Sequence, residues 1–311
     1  MIAATPLAVL EQALAWSAGG EAVALVTLVG IEGSASRARG TQMAVTASGD
    51  HIGSFSGGCI DHAIVGEAQA ALASGAGRIV RFGQGSSYVD VRLPCGGGID
   101  LMFTPTPSET VLRETIVALH ARQQVSLTVA PDRLSRSGAG FELTLFPPLR
   151  IVAFGQGEDF SAFFRLAQTF GTVIEGYTPD DRAAAQLAEF KGAVRTLSHP
   201  GAAPDMAGDP WTAFILLFHD RDWEDALLPS LLNLPGLYFG AIGSRRTHAA
   251  RLERLRSIPI GAAALSRLEG HIGLIPATRD PATLALSILA EVVASYASAC
   301  RVEVRSPASA D

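Results

Sequence analysis

The run Arg150-Ile151-Val152-Ala153-Phe154 constrains this chain most. A continuous apolar strand of this kind is buried on both faces, which calls for a parallel sheet with helices on either side. Gly155-Gln156-Gly157 follows, then a helical pattern over 159–170 and a second strand beginning at Val173-Ile174, so the stretch reads as a βαβ unit. Apolar runs at 212–218, ending in His219-Asp220, and at 237–242, ending in Gly243-Ser244-Arg245-Arg246, are each followed by helical sequence. Asp280-Pro281 caps a last long helix reaching about residue 298. The economical α/β fold is a Rossmann-like, doubly wound parallel sheet, whose ligands lie beyond the carboxyl ends of the strands. Gly155, Gly157, His219, Gly243, Ser244 and Arg245 are expected to converge there.

At 311 residues the chain exceeds one core, and Pro147-Pro148 marks the boundary between domains 1–147 and 148–311. The first is a mixed α+β domain. It opens with a helix over 6–18, followed by strands at 23–29 and 43–46 and a hairpin through Ser48-Gly49-Asp50 to His51-Ile52-Gly53. A helix over 60–74, strands at 78–82, 88–93 and 99–103, a helix over 108–122 and strands at 125–130 and 141–146 complete it.

Two glycine-flanked cysteines stand out in this first domain. In Ser56-Gly57-Gly58-Cys59-Ile60-Asp61 the glycines let main-chain N–H groups approach a ligand, and the helix start favours a thiolate at Cys59. Cys95-Gly96-Gly97-Gly98-Ile99-Asp100 repeats the ingredients in reverse order. Both cysteines are therefore candidates for one site. Cys300 has no such context and reads as a small buried hydrophobe. The polar loop Glu32-Gly33-Ser34-Ala35-Ser36-Arg37-Ala38-Arg39-Gly40 suits an anion or is a solvated surface loop.

The dinucleotide fingerprint is incomplete. Phe160 occupies the third glycine position, and Glu158 and Asp159 would repel a pyrophosphate at the helix start. His219 reads as a general acid/base, a ligand, or a histidine satisfied by a carbonyl. Arg245 and Arg246 are candidates to clamp a phosphate, Arg245 the favoured one; alternatively Arg246 begins an exposed basic face with Arg251, Arg254 and Arg256.

Composition excludes several classes. The formal charge of −6, from 24 basic against 30 acidic residues without a Lys/Arg block, makes nucleic acid an unsuitable partner. No basic leader precedes the first helix and no run of about 18 uninterrupted apolar residues occurs, so a cytoplasmic protein without a membrane span is expected. Three cysteines without a C-x-x-C pair fit neither a disulfide framework nor a structural zinc site.

In this order the motifs resemble the XdhC/CoxI family, the accessory factors of xanthine dehydrogenase and related molybdenum hydroxylases. The resemblance rests on Gly33-Ser34-Ala35-Ser36-Arg37, Ser56 to Cys59, Cys95 to Gly98, Gly155 and Gly157, His219-Asp220, Gly243 to Arg246 and Ile272-Gly273-Leu274. It implies a chaperone that binds the molybdenum cofactor, a molybdopterin complex, during its sulfuration by a cysteine desulfurase. The cofactor then passes to an apo hydroxylase, and a homodimer is implied as well. On that resemblance Cys59 and Cys95 approach the metal, while Ser56, Gly57, Gly58, Gly96, Gly97 and Arg37 hold the pterin and its phosphate. The chain departs from the family pattern at Ala35-Ser36, Glu158 and Thr178. The rival readings are an NAD(P)-dependent oxidoreductase built on Gly155 and Gly157, and a sulfurtransferase carrying a persulfide on Cys59.

Overall fold

The computed structural model describes residues 5–56, 58, 60–86, 96–190, 193–201 and 204–300, and the chain divides into two compact units between Pro147 and Pro148. The first unit runs α1 (Pro6–Ala18), β1 (Val23–Glu32), β2 (Gln42–Thr46), β3 (His51–Ile52), α2 (Asp61–Ser74), β4 (Arg78–Gly83), β5 (Gly98–Pro105) and α3 (Glu109–His120). It closes with β6 (Val125–Ala130), β7 (Arg133–Ser135) and β8 (Phe141–Leu145). Five strands make an antiparallel sheet in the order β3-β2-β1-β5-β4, and β7-β6-β8 make a second sheet. The expected strand over 88–93 lies outside the described residues.

Strand β1 shows why its sequence lacks polar alternation. Val23 and Leu25 pack with α1, α3 and the smaller sheet, while Ala24, Val26 and Leu28 pack against α2. Both faces are covered, so the period of two appears in the choice of core rather than in polarity. Thr27 is the buried exception, and its hydroxyl accepts the Gln42 amide at 3.2 Å. At the far end of β1 the guanidinium of Arg81 pairs with both carboxylate oxygens of Asp100 at 2.8 Å and also donates to Glu32. Those partners, Asp100 first, raise the pKa of Arg81 well above its ordinary value. The pairing fixes β1, β4 and β5 where the glycine loops leave the sheet.

The second unit runs β9 (Arg150–Gly155), α4 (Gly157–Phe170), β10 (Val173–Thr178), α5 (Asp181–Gln186), β11 (Val194–Thr196), β12 (Thr212–Leu217), α6 (Arg221–Leu231) and β13 (Tyr238–Ala241). It continues with α7 (Arg245–Arg256), α8 (Ala262–Leu265), β14 (Leu268–Gly270) and α9 (Pro281–Ala299). All six strands are parallel, in the order β11-β10-β9-β12-β13-β14, so the direction of strand progression reverses between β9 and β12. Ile151 and Ala153 face the core shared with α4 and α9, and Val152 and Phe154 face the core with α6 and α7. Gly155 is a packing requirement: a Cβ there would sit 2.7 Å from the Leu217 Cβ and 3.1 Å from the Phe160 Cβ. Among the described residues, α9 alone is long and apolar enough to cross a membrane. Its Ala285, Ile288, Leu289 and Val292 are buried in the core that also contains α4.

One expectation is overturned. Arg251 is not part of an exposed basic face but is fully buried. It donates to both carboxylate oxygens of the buried Glu224, at 2.9 and 2.6 Å, and to the Ile242 carbonyl at 2.6 Å. A buried guanidinium needs such a counter-charge, and Glu224 on α6 supplies it.

Candidate functional site

In the first unit three distant loops come together. A Cβ on Gly97 would lie 2.3 Å from the Ser34 carbonyl oxygen and 2.6 Å from that of Glu32, so only glycine lets the 96–98 segment rest on the 32–34 backbone. Arg37 donates through Nε to the Ser54 carbonyl at 3.3 Å, tying the same loop to the turn that leads into α2. The Ser56 hydroxyl accepts the Ile60 N–H at 3.2 Å, which caps a helix start whose N-cap residue, Ile60, has no side chain to do so. Gly58 (φ 112°) and Gly96 (φ 70°) are in the left-handed region, and among the described residues beyond their chain neighbours no heavy atom lies within 4 Å of where a Cβ would stand on either. Gly57, Cys59 and Cys95 lie outside the described residues.

The second unit holds a cleft of about 500 Å³ beyond the carboxyl ends of β9, β12, β13 and β14. It contains His219, Gly243 and Ser244 of the sequence-derived set; Gly155, Gly157 and Arg245 are not in its lining. Asp159 sits on the first turn of α4, and His219 Nε2 donates to its Oδ2 at 3.1 Å, so the imidazole is oriented by a carboxylate. Ser244 caps α7 by accepting the Thr247 N–H at 3.1 Å. From the β14 to α9 connection come His271, whose Nδ1 donates to the Gly243 carbonyl at 3.4 Å, and the exposed Arg279.

The turn after β9 is closed from the other side. The Asp180 carboxylate accepts the Gly157 N–H at 3.1 Å through Oδ2 and the Arg182 and Ala183 N–H groups through Oδ1, at 2.9 and 3.1 Å. These backbone donors, Ala183 first, pull its pKa below the ordinary carboxylate value. A carboxylate of the chain itself thus engages an N–H that a Rossmann sheet commonly offers to a pyrophosphate.

Asp159, His271, Arg279 and Asp180 had not emerged as members of a site. Glu158 and Asp159 carried a signal only as charges against a phosphate. His271 and Arg279 follow a short edge strand, β14, that hydrophobic patterning does not reveal.

The fold and sites define a two-unit α/β protein with a glycine-loop first half and a Rossmann-type second half. Residues 151–292 match the XdhC Rossmann domain and residues 16–83 match the XdhC and CoxI family. The chain belongs to that family. It is 34% identical over 284 residues, 88% of this chain and 83% of the relative, to the molybdenum cofactor insertion chaperone PaoD of Escherichia coli (strain K12). It also resembles the crystal structure of a Bacillus halodurans protein described as a xanthine dehydrogenase, with a TM-score of 0.73 at 19% identity over 96% of this chain and 98% of the other. That second likeness is one of fold.

Proposed function

We propose that the protein is a maturation chaperone for the molybdenum cofactor. In this reading it binds the cofactor in the cytoplasm, shields it while a cysteine desulfurase provides the sulfido ligand, and delivers it to an apo hydroxylase of the xanthine dehydrogenase type. It acts as a homodimer. The support is its 34% identity to an insertion chaperone, together with the convergence of the 33–37, 54–58 and 96–98 segments in the first unit.

The donor set suits that cargo. Cys59 and Cys95 supply soft thiolates for molybdenum. Gly57, Gly58, Gly96 and Gly97 carry no side chain that would keep a planar pterin from the backbone. Arg37, tied through Nε to the Ser54 carbonyl, offers its remaining N–H groups to the phosphate, while Ser56 keeps its O–H as a donor. Release matters as much as capture, and loops without bulky side chains hold the cargo through few contacts.

The test is to mix the purified protein with released cofactor and measure retained molybdenum by elemental analysis. Retention by wild type and its loss in the Cys59→Ala/Cys95→Ala double variant is the expected result. Equal retention by both removes the thiol assignment.

A further inference from the structure

The cleft of the second unit has an imbalance that points to its ligand. Its acids are engaged within the protein: Asp159 accepts from His219, and Asp280 caps α9 by accepting the Thr283 N–H at 2.8 Å. Its basic groups keep donors free. Arg279 makes no hydrogen bond or ion pair among the described residues, His271 makes one long contact to a carbonyl, and His219 engages only Nε2.

The loop carrying these groups is held in place rather than loose. Its Gly273 N–H is accepted by Glu291, its Ile275 N–H by the Ser287 hydroxyl at 2.7 Å, and its Leu274 N–H by the Ser287 carbonyl at 3.3 Å. Glu291 is fixed in turn by the Tyr238 hydroxyl at 2.7 Å. His271 and Ala277 adopt left-handed backbone conformations (φ 63° and 55°) that residues with a Cβ rarely take. A strained loop held by a helix presents a fixed set of donors to the cleft.

Size and electrostatics narrow the class further. A volume of about 500 Å³ lies in the range of small-ligand pockets. A phosphate is disfavoured at the start of α4, where Glu158, Asp159 and the Asp180 carboxylate crowd the turn. Arg279, from the β14 to α9 connection, brings the complementary sign to the same cleft.

We propose that this cleft binds a hydroxyl-bearing phosphomonoester, a sugar phosphate or mononucleotide, rather than a dinucleotide. Arg279 and His271 contact the phosphoryl oxygens, and the Asp159–His219 pair takes a hydroxyl of the attached group. The residues assigned to this ligand all belong to the second unit, and the test contains no molybdenum.

Calorimetric titration of the full chain with ribose 5-phosphate and 5′-AMP, against ribose and NADH, decides the matter. Arg279→Gln and His271→Asn are the variants: both side chains are exposed, and asparagine tolerates the left-handed backbone at 271. Circular dichroism confirms that they fold. At least one phosphate ester binds wild type, ribose does not, and each variant weakens binding about tenfold or more. Absence of binding by both esters overturns the proposal, as does equal affinity in wild type and both variants. NADH binding that Gly157→Asp abolishes and Arg279→Gln leaves unchanged also overturns it.

Discussion

The Asp180 carboxylate accepts the Gly157 N–H at 3.1 Å across 23 residues of sequence, so the α5 cap and the turn before α4 share one side chain. Asp180→Ala removes both contacts and is expected to cost about 1–2 kcal/mol of unfolding free energy at neutral pH. The charge-dependent part has a defined sign. Its folded pKa lies below the ordinary 3.8, so that stabilisation is complete above 3.8 and is lost as pH falls through the lower folded value. Urea denaturation of both proteins across that acid range should show their difference shrinking. A constant gap would exclude the charge as its source.

The buried Arg251–Glu224 pair makes an asymmetric prediction. Removing one partner, as in Glu224→Leu, which leaves the Arg251 guanidinium buried without a carboxylate, or Arg251→Met, which leaves Glu224 only the 3.5 Å contact with Arg254, should cost about 3–5 kcal/mol, whereas the double replacement should recover most of that loss. Arg251 also holds the Ile242 carbonyl beside the Gly243 turn. Denaturant midpoints of the four proteins in the cycle give the coupling directly, and additive losses would contradict it.

Two neighbouring glycines should behave differently. Gly96→Ala meets no described atom beyond its chain neighbours and is expected to cost about 1 kcal/mol from its left-handed backbone. Gly97→Ala drives a methyl into the Ser34 and Glu32 carbonyls and is expected to cost about 2–3 kcal/mol while parting the two loops. Thermal unfolding measures the costs. Molybdenum retention should fall more in the second variant, and equal retention would separate the loop contact from function.

Alkylation should rank the thiols. Burial pushes the Cys300 thiol above its ordinary pKa, so it carries little thiolate near neutral pH. Peptide mapping after brief iodoacetamide treatment should find Cys300 modified more slowly than Cys59 and Cys95. Faster labelling of Cys300 would contradict the shift.

Much of the architecture was legible because it follows from local pattern. The apolar run at β9, the capped start of α9 at Asp280-Pro281 and the glycine stop after α2 each carry their reason within a few residues. The short elements β7, β11 and β14 were not legible. Three residues give no periodicity, and their pairing partners supply the rest.

Site membership divided along the same line. The grouping of the 33–37 and 96–98 loops came from the family resemblance alone, and the reason for Gly97, contact with the Ser34 and Glu32 carbonyls, was not legible. Arg251 looked like one member of a basic helix face, because a sequence does not display the carboxylate 27 positions earlier that permits its burial.

By itself the sequence determined the parallel sheet, since hydrophobic period and glycine placement are local properties of the chain, and its order of motifs carried the resemblance to the family. Only the tertiary structure decided which polar groups are committed to one another: Asp180 to Gly157, Asp159 to His219 and Glu224 to Arg251. Those commitments depend on distances between residues far apart in the chain, and the chain order does not contain them.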